Sequence, residues 1–130
     1  MADPKDPSAV AVAKAHAEAW SSHDWKKARR MLAEDVRVDA TSTQSIVPPT
    51  HTTGAEEYME GLVRFAQAIK PGSLKVLGTA GDDRNSALLV TVRASLGPGA
   101  PEVTIASARI LLLAEDGKIQ AEQVVFFAFP

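Results

Sequence analysis

Arg109 and Glu122 are the two residues whose types and spacing could do chemistry together. They flank Ala114-Glu115-Asp116-Gly117, where a four-residue hairpin loop on a type I turn, with Gly117 supplying a positive φ, sets Leu113 opposite Lys118. Counting back puts Arg109 opposite Glu122, and directly opposed residues of an antiparallel ladder share one face of the sheet. A guanidinium and a carboxylate would then meet within an apolar hairpin, which suits acid-base chemistry and equally suits simple mutual charge compensation. A three-residue loop pairs Arg109 with Gln123 instead and turns Glu122 to the opposite face, so the site depends on register.

His16 is the third candidate. It sits on the apolar stripe of the first expected helix, and an imidazole titrates near neutral pH and is tuned by burial or a carboxylate neighbour. The bland reading is a core histidine bonded to a carbonyl. Trp20, Tyr58, Phe65 and Phe126 read as core, and aromatic walls are also what a hydrophobic ligand requires, so they are the candidate ligand-binding residues. His51 and Asp39 read as surface groups near a pocket mouth, and the facing of Arg93 depends on the loop that follows its strand.

The elements that must position these groups follow from periodicity. Ser8 as N-cap opens a helix in which Val12, Ala13, His16, Ala17 and Trp20 form one stripe, ending at Ser21-Ser22. Asp24 caps a second, shorter helix carrying a solvated basic cluster, Lys26, Lys27, Arg29 and Arg30. Val36 to Ala40 alternates as a strand with the valines inward and Asp39 outward; Thr41 to Thr53 is an extended loop or short edge strand. Gly54 opens a third helix reaching about Ile69 and stopped by Pro71-Gly72. Strands are expected over Ser73 to Ala80, Ser86 to Leu96, Val103 to Leu113 and Lys118 to Phe129, as an antiparallel meander. The fold class is α+β: a curved antiparallel sheet wrapped around three N-terminal helices, able to leave a cavity.

With 130 residues the chain makes one domain, expected over residues 8–130 behind a disordered, proline-broken stretch at 1–7. The net charge of -2 gives no reason to expect nucleic acid or an anionic membrane. There is no cysteine, and His16, His23 and His51 lack the close spacing of a ligand pair, so neither metal nor other cofactor is expected. No run approaches about 20 apolar residues and the opening lacks the apolar core of a signal peptide, so a cytoplasmic protein is expected. Leu88, Val90 and Val92 lie on one face of their strand and Leu89, Thr91 and Arg93 on the other; that two-sided apolar character predicts a homodimer packed sheet to sheet.

The run Ala19-Trp20-Ser21-Ser22-His23-Asp24-Trp25, then Leu32-Ala33-Glu34-Asp35-Val36-Arg37-Val38, Gly54 at a helix start and Asp116-Gly117-Lys118-Ile119 resembles the nuclear transport factor 2-like superfamily over nearly the whole chain. Within it the sequence is similar to the branch of SnoaL-like polyketide cyclases, ketosteroid isomerase and limonene epoxide hydrolase. That resemblance implies a cone-shaped fold, often dimeric, with a pocket between sheet and helices for a small hydrophobic molecule. Where ketosteroid isomerase places its tyrosine, base and protonated aspartate, this chain has His16, Ala40 and Arg109, so the general base is missing and no steroid isomerisation is expected. The cyclases' last-strand Tyr-Phe-Asp pattern is replaced by Phe126-Phe127-Ala128-Phe129. Limonene epoxide hydrolase sets an arginine between two acids; here Arg109 and Glu122 remain, and the second acid falls on Leu111. The resemblance therefore implies a ligand-binding domain with cofactor-free isomerase, cyclase or epoxide hydrolase chemistry, or a non-catalytic ligand-binding or dimerising relative.

Overall fold

The computed structural model describes residues 5–43, 49–95 and 97–128. Its elements are α1 (Ser8–Ser21), α2 (Trp25–Arg30), β1 (Leu32–Ser42), β2 (Thr50–Thr53), α3 (Ala55–Ala66), β3 (Lys75–Gly81), β4 (Asn85–Ser95), β5 (Glu102–Leu113) and β6 (Ile119–Ala128). This is the expected α+β class, with one curved, open sheet of six strands ordered β2-β1-β6-β5-β4-β3.

Local chemistry explains most boundaries. Asp24 Oδ1 accepts the Lys27 amide at 3.2 Å and starts α2. Gly54, at φ 101°, turns the chain into α3 with a backbone geometry that a side chain would strain. The start of α1 differs from expectation: Pro7 is the N-cap residue, and the Ser8 amide donates to Asp83 Oδ1 at 3.1 Å. That cap comes from the β3–β4 turn, so no local pattern could announce it. Asp6 pairs with Lys14 at 2.8 Å within the stretch expected to be disordered; residues 1–4 lie outside the described residues. At its other end α3 stops at Ala66, short of Ile69, because Ile69 pairs with Ala94 as an isolated bridge.

Every strand neighbour is antiparallel except β1 and β6, which run parallel with Val38 beside Glu122 and Ala40 beside Val124. The all-antiparallel expectation is corrected at this ladder. Alternation marks the faces of a strand and is silent on the direction of a neighbour that no hairpin joins to it. The buried face of β4, with Leu88, Val90, Val92 and Ala94, packs under the helices, and Trp20, Leu32, Val36, Ile69 and Ile119 complete the core. On the opposite face Arg93 is exposed and bonded to Glu102 at 2.8 Å and Thr104 at 2.9 Å. The ends expected at Leu96 and Phe129 lie outside the described residues. No helix among the described residues is long and apolar enough to cross a membrane.

Candidate functional site

Arg109 and Glu122 do share the inner face, by a register other than the expected one. Five residues, 114–118, separate the pair Leu113 and Ile119, and Gln120 is then an extra residue before Leu112 pairs with Ala121. Each irregularity moves β6 by one position. Together they move it by two, so Arg109 lies opposite Val124 and Glu122 opposite Leu111, while the facing of both side chains is preserved. The charges meet diagonally, Arg109 Nη1 to Glu122 Oε2 at 3.5 Å, and both residues are buried.

The carboxylate has a second, shorter partner. Tyr58 Oη donates to Glu122 Oε1 at 2.5 Å, joining α3 to β6. Burial first, and then the negative charge of Glu122, push the Tyr58 phenol well above the usual tyrosine range, so it stays a proton donor. Arg109 is held in turn: its Nε donates to Ser107 Oγ at 3.2 Å, and its Cζ lies 4.4 Å from the centre of the Trp20 ring and 5.9 Å from that of Phe126. A planar cation between aromatic faces keeps its orientation and part of its electrostatic stabilisation away from water. Sequence reasoning treated Tyr58 as wall alone. The available signal was that a buried phenol needs a partner, and an inward carboxylate was already expected.

These groups close the inner end of a cavity of about 280 Å³ between α3 and the β2-β1-β6-β5 part of the sheet. Phe65, Leu62, Val38, Val124 and Phe126 form apolar walls; the exposed Glu57, Gly61 and Arg64 of α3 also line it, as do Thr50 and Thr52 of β2. Of the expected ligand-binding residues, Tyr58, Phe65 and Phe126 line this space. Trp20 is not among the lining residues and lies beneath Arg109.

His16 also lies outside the lining, with its ring 6.0 Å from that of Tyr58. Burial above all, opposed by the Glu122 charge, lowers its pKa to about 4. It is therefore neutral at physiological pH, and its buried Nε2 has no hydrogen-bond partner among the described residues. The structure brings Arg109 and Glu122 together at the cavity and sets His16 behind its wall. Asp39 points outward, as alternation requires, and its Oδ1 meets His51 Nδ1 at 2.6 Å on the exposed face. Among the described residues no cluster of three or more His, Asp or Glu is placed to hold a metal ion.

Comparison with known proteins gives a consistent picture of the scaffold. The family described as the SnoaL-like domain matches residues 13–122. No curated protein matches the chain significantly. A solved protein from Kribbella flavida is 21% identical with a TM-score of 0.74, the match covering 92% of this chain and 86% of that one. A Mycobacterium tuberculosis protein solved with estradiol-17β-hemisuccinate has a TM-score of 0.73 at 12% identity, over 92% of this chain and 93% of that one. A protein with a ketosteroid isomerase-like fold from Catenulispora acidiphila, in complex with trimethylamine, has a TM-score of 0.71 at 14% identity, over 95% and 85%.

Proposed function

Because the chain belongs to the SnoaL-like domain family, we propose that it binds a small hydrophobic molecule in the cavity between α3 and the sheet and transforms it by cofactor-free acid-base chemistry. The observation that carries this reading is the buried Glu122 carboxylate, held by Tyr58 at 2.5 Å and by Arg109 at 3.5 Å, at the end of an apolar cavity. Glu122 is the proton acceptor. Arg109, whose guanidinium borders the cavity, stabilises negative charge developing on a substrate oxygen, and the apolar walls strengthen that interaction by excluding water. Tyr58 stays protonated and orients the carboxylate, and Glu122 itself returns the proton it has accepted. Isomerisation, cyclisation and epoxide opening all need this pair of roles. His16, neutral and behind the wall, serves as packing in this reading.

The test is a ligand screen followed by Glu122→Gln. Turnover lost with binding retained supports catalysis; turnover unchanged overturns it. A binding-only role is the second reading, favoured by Leu111: the position two residues beyond Arg109 is a buried leucine, so no second carboxylic acid stands there. The hydrophobic ligand bound by the Mycobacterium tuberculosis relative agrees with either reading.

We further propose that the chain is a homodimer formed through the outer face of the sheet. Leu89 and Ile110 are 39% and 48% exposed there, and large apolar side chains on an open sheet face call for a cover. Gel filtration with light scattering checks the mass, and a monomer at working concentration overturns this assignment.

A further inference from the structure

Gly61 lies in the middle of α3, where glycine is the poorest helix former after proline. Such a residue is ordinarily explained by a close neighbour that excludes a side chain, yet among the described residues a Cβ built on Gly61 meets nothing within 4 Å. Its backbone φ is not positive either. Among the described residues, neither packing nor backbone conformation therefore calls for glycine. The remaining feature of its surroundings is the cavity, which Gly61 lines between Glu57 and Arg64.

Helical geometry explains what the missing side chain leaves open. Glu57, Gly61 and Arg64 follow one another at four- and three-residue spacing, so they stand along one edge of the helix. All three are exposed, whereas Tyr58 and Leu62 are buried deeper in the same cavity. The charged residues stand on either side of Gly61 along this exposed edge, whereas Arg109 and Glu122 line the same cavity as buried groups. Any larger residue at 61 would place its side chain between Glu57 and Arg64.

Resting on the assignment of this cavity as the ligand site, we propose that Gly61 is a specificity-determining residue: it keeps a slot open through which an elongated apolar tail leaves, while the ligand's polar head meets Arg109 and Glu122. The substrate class is then a small amphiphile with an oxygen function at one end and a chain or ring system extending outward. A compact substrate confined to the inner cavity would gain nothing from the slot.

The probe is a series of 4-alkylphenols from propyl to octyl, titrated calorimetrically into the wild-type protein and into Gly61→Leu and Gly61→Gln. The wild type is expected to gain about fourfold in affinity per added methylene along the series. Both variants are expected to match the wild type for the short members and to lose the gain for the long ones. Gly61→Ala is expected to raise Tm by about 3 °C, because it improves the helix without a clash. Chain-length profiles in both variants identical to that of the wild type would overturn the slot while leaving the cavity assignment intact. A lowered Tm in Gly61→Ala would overturn it too, by revealing a packing reason for glycine. Wild-type protein that takes none of the phenols, long or short, sinks the cavity assignment itself and this inference with it.

Discussion

The Arg109 guanidinium carbon stands 4.4 Å above the Trp20 ring, so a cation on β5 is seated on an aromatic side chain from α1. This contact ties the first helix to the charged end of the cavity. It also means that Arg109 is held by packing as well as by charge, and the consequences are measurable.

Arg109→Met leaves the buried Glu122 without its counter-charge, and removing one partner of a buried pair costs about 3–5 kcal/mol. Urea denaturation is expected to show that loss. The double variant Arg109→Met with Glu122→Leu is expected to recover at least half of it, since no buried charge is then left alone. Equal losses in the single and double variants would show that the guanidinium matters for its packing on Trp20 and not for its charge.

Tyr58→Phe keeps the ring and deletes the hydrogen bond to Glu122 Oε1. A bond to a charged acceptor is worth about 1.5–3 kcal/mol. The variant is expected to lose stability by that amount, read by thermal melts and urea denaturation. Unchanged stability would place the bond's contribution near zero.

His16 contributes a pH dependence of stability with a definite sign. Its folded pKa is lowered from 6.5 to about 4, so between those values the unfolded chain binds more protons and stability falls as pH falls. The contribution present above pH 6.5 and lost on approaching pH 4 is about 3 kcal/mol. His16→Leu, which also removes an Nε2 that has no partner among the described residues, is expected to flatten the stability curve in that window. An unaltered slope would mean that other groups carry the acid sensitivity.

Ile110→Lys places a charge in the middle of the exposed outer face, where Ile110 has 48% of its surface accessible. If that face joins two copies, the variant is expected to run as a monomer by light scattering, with its cavity and fold intact. A dimer unaffected by Ile110→Lys and Leu89→Lys would move the interface elsewhere.

Much of this architecture was legible in the chain because period and punctuation are local. The stripe through His16 and Trp20, the Asp24 cap, the turn at Gly54 and the alternation of β4 each depend on neighbours within a few residues, so the elements and their buried faces could be read directly. The alternation within each strand of the last hairpin was readable for the same reason. The register was not: a five-residue connection and the extra Gln120 shift the strands twice, and neither has a local signature.

The amino-acid order by itself determined that β5 and β6 each carry one inward and one outward face beneath amphipathic helices, since side-chain alternation depends only on counting; that Arg109 and Glu122 share the inward one rests on two register shifts that together move β6 by two positions. What tertiary structure decided was who touches whom. Tyr58 of α3 reaches Glu122 of β6, His16 of α1 is buried beside Tyr58 but outside the cavity lining, and β1 joins β6 in parallel although 76 residues lie between Ser42 and Ile119. Those relations depend on how separate elements settle against each other in space, a balance of packing over the whole core that no spacing within one segment encodes.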